Sequence, residues 1–302
     1  MNEAAAVKLM LALVLLLAGP AALAWVMRRR GRRGLKLLIG GWLGVGALVA
    51  YASLVEPYWI EVHDVTIADP ELASALEGLT VVHVTDIHLR RGIGRRERQL
   101  LEKLDALKPD LVLFTGDLFD DLTQLAPAVE LLQRMPARLG IFGVTGDTDG
   151  LVMDSRSFER ELGATPMRVL VNESLELDLG PDRGVWLAGV DPSGEAGPEL
   201  ERALAGVPPE APAILLTHLP GSFHAAAERH VDLVLAGETH GGQVGIPWLV
   251  RLSDYAYRTP YMRGLFQENG ATLYVNRGIG TKTLPIRLLC RPEIAVLEFR
   301  SR

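Results

Sequence analysis

Two long apolar runs open the chain. No charged residue occurs from Leu9 to Met27 or from Leu37 to Val55, and each run is close to the ~20 residues that span a bilayer as a helix. The segment between them, RRRGRRGLK at 28–36, is strongly basic, and a short basic segment between two spans stays on the cytoplasmic side. The pattern predicts a multi-pass membrane anchor, residues 1–57, with transmembrane helices at about 9–27 and 37–55. The domain that follows, residues 58–302, is then expected to be extracytoplasmic.

Two other interpretations of these runs stay open. A cleaved signal sequence also contains an apolar run, but here a basic cluster follows the run. Buried helices of a soluble protein are apolar as well, although charge-free runs of this length are unusual in them. The membrane hairpin is the expectation that we carry forward, and its orientation rests on charge counting alone.

From about Ile60, short apolar runs alternate with amphipathic stretches. The runs are typical of buried strands and comprise Val81–Val84, Leu111–Phe114, Ile141–Val144, Val185–Ala188, Ala213–Leu216, Val231–Leu235, Leu273–Val275 and Ile294–Phe299. Three stretches place apolar residues on one face of a helix, namely Arg96–Leu107, Ala126–Met135 and Ser222–Arg229. Alternating strands and helices predict a layered α/β fold.

Polar residues with metal-binding groups follow five of these strands. They are Asp86 and His88, Asp117, Asp147, His218, and Glu238 with His240. In open α/β sheets the loops beyond the carboxyl ends of the strands gather at one crevice. Carboxylates and neutral imidazoles bind divalent ions such as Mn, Fe and Zn. One such residue alone is more often a helix cap or a solvated loop residue, but five in order indicate a metal site.

In this order the motifs resemble those of the calcineurin-like metallophosphoesterases, which read Asp-x-His, Gly-Asp, Gly-Asn-His-Asp/Glu, a lone His and Gly-His-x-His. The resemblance runs from about Ile60 to Phe299, and Gly241-Gly242-Gln243 is similar to the end of this motif in a bacterial membrane-associated branch. It implies a β-sandwich flanked by helices. It also implies a phosphodiesterase or phosphatase that cleaves phosphoester or phosphoanhydride bonds with two divalent metal ions.

The resemblance assigns each ligand by position. Asp86, His88 and His240 would hold one ion, and Asp117 would bridge to the second. The second ion would be held by Asp147, His218 and Glu238. The catalytic positions carried over from the family are Asp117, Asp147, Thr148 and Asp149.

Three of these positions depart from the family pattern. Asp147 occupies the position of the family's Asn, and Glu238 that of the first His of the last motif. Two anionic oxygen donors therefore replace neutral ones. Harder donors shift the preference toward Mn, Mg or Ca and away from Zn, and Mn is favoured here over Fe, Mg, Ca and Zn. Thr148 stands for the His that assists the leaving group, which predicts slow cleavage of poor leaving groups.

Charge and composition restrict the partners. The net charge is −6. Residues 1–36 carry seven Lys/Arg and one acid, Glu3, so the domain that follows is more acidic than the chain as a whole. Nucleic acid is not an expected partner, because phosphate contacts need clustered bases. A phosphate-containing small molecule or lipid at the membrane is expected, with Arg277 and Arg287 as candidate phosphate contacts. The alternative is a catalytically weak, metal-binding sensor or scaffold tethered to the membrane.

Overall fold

The computed structural model describes residues 3–180, 183–194, 197–246 and 259–301. The strands within these ranges are β1 Glu61–Ala68, β2 Val81–Val84, β3 Leu111–Thr115, β4 Gly140–Val144, β5 Met167–Val169, β6 Glu173–Asp178, β7 Gly184–Gly189, β8 Ala213–Leu216, β9 Leu233–Ala236, β10 Gly264–Glu268, β11 Ala271–Val275 and β12 Glu293–Arg300. The α-helices are α1 Glu3–Leu54, α2 Pro70–Leu76, α3 Arg95–Leu107, α4 Leu125–Arg134, α5 Asp147–Val152, α6 Ser155–Leu162, α7 Pro198–Leu204 and α8 Phe223–Ala227.

The strands form two six-stranded sheets. The first has the order β1-β12-β2-β3-β4-β5, and the second has the order β10-β11-β9-β8-β7-β6. Strands β2 to β5 pair in parallel in the first sheet, and β7, β8, β9 and β11 pair in parallel in the second. The mixed α/β class predicted from the sequence is therefore confirmed.

Three apolar clusters arrange these elements in layers. One cluster lies between the sheets and includes Val81 and Leu113 from the first and Leu187 and Leu235 from the second. The neighbouring residues of the strands face outward. They pack against α3, α4 and α6 on one side of the molecule and against α7 and α8 on the other. Since both faces of the central strands are covered, these strands appear in the sequence as continuous apolar runs.

Hydrogen bonds join the two sheets where the parallel strands end. The ring of His218, after β8, bonds through Nδ1 to the carbonyl oxygen of Thr115 in β3 at 2.7 Å. The side-chain amide of Asn276, after β11, donates to the carbonyl oxygen of His83 in β2 at 3.0 Å. The carboxyl ends of both parallel cores therefore meet at one edge of the molecule, and the loops beyond them share it.

The N-terminal segment is helical on both sides of a break in the basic segment. The span of α1 contains two helical pieces, which meet within the basic segment at Gly31, whose φ of 55° and ψ of −151° are not helical. Arg, Leu and Lys have high helix propensities, so the residues of the basic segment other than its glycines favour a helix. Among the residues whose side chains are described, one segment, Gly31–Tyr58, is long and apolar enough to cross a membrane. The predicted transmembrane helix at about 9–27 lies almost entirely outside these residues. Its large side chains, such as Leu37 and Leu43, are exposed, as a lipid-facing helix requires.

Candidate metal centre

Each predicted ligand lies just beyond a strand at the shared edge. Asp86 and His88 follow β2, Asp117 follows β3, and Asp147 is the first residue of α5, after β4. His218 follows β8, while Glu238 and His240 follow β9. All are buried except Asp147, whose side chain is 36% exposed. The structure therefore brings the seven side chains together from both sheets.

The first ligand group consists of Asp86, His88 and His240. The Nε2 atoms of the two histidines are 3.1 Å apart, and Nε2 of His240 is 3.3 Å from Oδ1 of Asp86. That carboxylate oxygen is buried and has no hydrogen-bond partner among the described residues. Two imidazole nitrogens that face each other beside an unpaired carboxylate oxygen fit a divalent cation.

The second ligand group is centred on His218. Its Nε2 lies 3.0 Å from Oε2 of Glu238 and 3.5 Å from Oδ2 of Asp117. Oδ1 of Asp147 lies 3.6 Å from the same nitrogen. Ligand atoms of Asp86, Asp117, His218 and Glu238 all lie within 4.8 Å of one another. Asp117 faces both groups, because its Oδ2 is also 3.2 Å from Nε2 of His88.

A lysine that the motifs do not include enters the second group. Nζ of Lys282, in the loop after β11, lies 2.8 Å from Oε2 of Glu238 and 3.0 Å from Oδ1 of Asp147. It is also 3.9 Å from Oδ2 of Asp117. A single lysine in a loop carries no motif, so this contact could not be predicted from residue type.

Five of the seven predicted ligands have left-handed backbone conformations. Their φ angles lie between 49° and 63°, at Asp86, His88, Asp117, Glu238 and His240. Non-glycine residues rarely adopt this region, and such strain accumulates at functional sites where the surrounding structure enforces it. The positive φ turns the chain sharply at each strand end, which directs the side chains to the common centre.

The far nitrogens of two histidines are held by partners that the motifs do not include. Nδ1 of His88 is 2.6 Å from Oδ1 of Asp120, and Nδ1 of His218 bonds to the Thr115 carbonyl. A proton on Nδ1 leaves the lone pair of Nε2 directed at the centre, as metal ligation requires. Burial lowers the pKa of His88, but the charges of Asp117 and Asp120 outweigh it and raise the pKa to about 9. Metal binding must therefore release a proton there.

The loop that begins α5 fixes the orientation of Asp117. The backbone N–H and the hydroxyl of Thr148 donate to the two oxygens of Asp117, at 2.9 and 2.8 Å. Asp149 is fully buried and accepts hydrogen bonds from the N–H groups of Gly146 and Leu118. Burial, with the charge of Asp117, raises the pKa of Asp149 to about 7. Both residues therefore position the loop and the central carboxylate.

The two arginines proposed as phosphate contacts are used inside the fold. Arg287 is fully buried and donates to backbone carbonyls, including that of Gly280 at 2.9 Å from Nε. Arg277 forms ion pairs with Glu293 and Glu61. Neither guanidinium has donors directed at the ligand groups, apart from one Arg287 nitrogen 3.4 Å from a ring nitrogen of His240.

Two layered sheets whose strand ends bring buried carboxylates and imidazoles together define an α/β protein with side chains arranged to hold metal ions. Comparison with known families gives the same result. The family model of the calcineurin-like phosphoesterases matches residues 79–242, more than half of the chain. The chain belongs to this family, which confirms the resemblance seen in its motifs.

Relatives of the chain include both bacterial and vertebrate proteins. The uncharacterized metallophosphoesterase YkuE of Bacillus subtilis is 30% identical over 91% of this chain and 99% of its own length. The transmembrane proteins with a metallophosphoesterase domain from Danio rerio and Bos taurus are 33% and 31% identical over 80% and 76% of this chain. The chain spans little more than half of these two, 57% and 55% of their lengths. The vertebrate names and the apolar helix together indicate association with a membrane.

Proposed function

We propose that the chain hydrolyses phosphoester or phosphoanhydride bonds at a centre with two adjoining cation positions. The observation that carries this proposal is the convergence of the buried Asp86, His88, Asp117, His218, Glu238 and His240 at one edge of the two sheets. So many acids and imidazoles in a buried space need positive charge to offset their repulsion and desolvation. The family supplies the reaction class, and the ligand geometry supports a divalent ion in at least the first position.

The residues of the chain have separable roles in this proposal. An ion in the first position would be held by Asp86, His88, His240 and Asp117. Thr148 would fix the orientation of the Asp117 carboxylate. When bound, a divalent ion supplies Lewis acidity and neutralises the charge of the phosphate oxygens. The mixture of oxygen and nitrogen donors supports Mn as the ion, with Fe, Mg, Ca and Zn as competitors.

A cleft beside Asp147 is the proposed substrate site. It has a volume of about 670 Å³, and its lining includes Arg156, Asn172 and Arg202. Arg156 and Arg202 form ion pairs with Glu159 and Glu199, and Asp154 and Asp191 also line the cleft, so it offers hydrogen-bonding groups of both charges. The phosphate of a small molecule or lipid would bind at the metal centre next to the cleft, and the rest of the substrate would lie in the cleft. With a membrane helix at the N-terminus, we propose a lipid or cell-envelope substrate and an extracytoplasmic catalytic domain.

Metal-dependent turnover is the experiment that tests the function. The full chain, purified in detergent, is freed of metal with a chelator and assayed with p-nitrophenyl phosphate and bis(p-nitrophenyl) phosphate. We expect negligible hydrolysis until Mn²⁺ is added, and recovery with Mn²⁺ above that with Zn²⁺. Metal binding without hydrolysis of any substrate in a broad phosphoester panel would instead favour the membrane-tethered sensor or scaffold.

Thr148 gives a prediction about leaving groups. Its hydroxyl donates to Asp117 and cannot deliver a proton near neutral pH, whereas a general acid contributes roughly 10²–10⁴ in rate. We expect aryl diesters and phosphoanhydrides to be cleaved at least 10²-fold faster than alkyl diesters of similar size. Thr148→His is expected to narrow this difference, and Thr148→Ser to leave it unchanged. Equal kcat values for aryl and alkyl substrates in the natural protein would contradict the assignment.

A further inference from the structure

The ammonium group of Lys282 lies in the second cation position. We propose that this lysine permanently replaces the second metal ion, so that the chain binds one divalent ion, at Asp86, His88 and His240. The inference rests on the proposed function only for the first ion. It replaces the expectation of two metal ions with a centre of one metal ion and one internal ammonium.

Nζ of Lys282 lies within hydrogen-bonding distance of two carboxylates of the second ligand group. An ammonium has three donors, and Nζ has three carboxylate oxygens within hydrogen-bonding distance. They are Oε2 of Glu238 at 2.8 Å, Oδ1 of Asp147 at 3.0 Å and Oδ2 of Asp147 at 3.2 Å. A metal ion would need the same oxygens at about 2.0–2.2 Å. The ammonium and a second ion therefore cannot share this position, because both claim the same oxygens and repel each other.

The two anionic side chains of the second group bind an ammonium better than the family's neutral Asn and His would. The two side chains that Lys282 contacts, Asp147 and Glu238, are the two positions where anionic oxygens stand in place of the family's Asn and His. Charge-assisted hydrogen bonds to carboxylates are roughly twice as strong as neutral ones. Their negative charges also offset the charge of the Lys282 ammonium, on a side chain that is only 23% exposed. Both substitutions and the lysine are thus explained by one ion-paired cluster.

The backbone of Lys282 is held in place by a residue next to the first ligand group. The side-chain amide of Gln243 donates to the carbonyl oxygen of Lys282 at 2.9 Å, and its Oε1 accepts from the N–H of Lys282 at 2.8 Å. Gln243 lies three residues after His240, in the Gly241-Gly242-Gln243 segment. Its amide thus ties the loop after β11 to the loop after β9, which keeps the lysine directed into the centre.

Metal content distinguishes one ion from two without reference to activity. The full chain in detergent is saturated with Mn²⁺, passed through a desalting column, and analysed by elemental mass spectrometry and electron paramagnetic resonance. We expect about one Mn²⁺ per natural chain, with the spectrum of an isolated ion. Lys282→Met, which keeps the length of the side chain, is expected to hold about twice as much, with the spectrum of a magnetically coupled pair.

Lys103→Met is the matched control, since Lys103 lies on α3, outside the ligand groups, and it should keep one ion. Gln243→Ala loosens the loop and is expected to give an occupancy between one and two. A natural chain that holds two coupled ions would overturn the proposal, as would a folded Lys282→Met protein that still holds one. The number of Mn²⁺ ions in the natural chain tests the proposal even if the variants do not fold. One ion without hydrolysis would leave this inference intact and count against the proposed function, and two ions with hydrolysis would do the reverse.

Discussion

Replacing Asp117 with asparagine is expected to lower the rate of metal-dependent hydrolysis by about 10³-fold or more. Oδ2 of Asp117 lies 3.2 Å from Nε2 of His88 and 3.5 Å from Nε2 of His218. Burial raises the pKa of Asp117, but the two histidines outweigh it and hold the pKa well below its usual range. The group is therefore ionised throughout the working pH range. A charge between the two cation positions is worth several kcal/mol, and each 1.4 kcal/mol corresponds to about a tenfold change in rate.

Asparagine keeps the shape of the side chain, removes its charge and replaces one of the two oxygens that accept from Thr148 with an NH2 donor, so stability is measured beside function. Metal content after desalting, kcat with bis(p-nitrophenyl) phosphate and the melting temperature are measured on the same preparations. Asp105→Asn is the control, because Asp105 is an exposed acid on α3, and it should match the natural protein in all three. If Asp117→Asn kept both its metal and its kcat, the central role of this carboxylate would be wrong.

The central strands could be predicted from the sequence because the fold covers them on both faces. Val81–Val84 and Ala213–Leu216 were predicted with the bounds of β2 and β8, since buried parallel strands consist of continuous apolar residues. The edge strand β6, ESLELD, has only exposed and half-buried residues. It pairs with a single neighbour, β7, so burial leaves no continuous pattern in its sequence.

Ligand side chains were predictable for a similar reason. Asp86, Asp117 and His218 each follow a recognisable strand, and parallel strand ends converge. Their supporting partners were not predictable. Thr115 contributes a backbone carbonyl, which any residue type provides, and Lys282 reaches the centre only because Gln243 fixes the loop that carries it. Contacts that depend on loop placement or on backbone atoms leave no signature in residue type.

Gly146 has no room for a side chain, although its backbone conformation is open to any residue. Its φ is −96°, an angle open to any residue, but a Cβ at this position would lie 2.0 Å from Oδ1 and 2.3 Å from the backbone nitrogen of Asp117. Gly146→Ala must therefore push the central carboxylate away from the ligand groups. A displacement of about 1 Å at a reacting centre lowers the rate by roughly 10²-fold, and we expect at least that loss in kcat, together with weaker retention of Mn²⁺.

Gly150→Ala is a matched control four residues along the same segment. Gly150 lies in α5, and an added Cβ there would meet no described atom within 4 Å. Alanine also has a higher helix propensity, so the control should retain Mn²⁺ like the natural protein and gain up to about 1 kcal/mol of stability. Because Gly150 lines the proposed substrate cleft, the two variants are compared by Mn²⁺ retention. The pair separates steric displacement of Asp117 from any general effect of substituting a glycine in this segment. Equal Mn²⁺ retention by Gly146→Ala and Gly150→Ala would show that the approach of Gly146 to Asp117 does not control the centre.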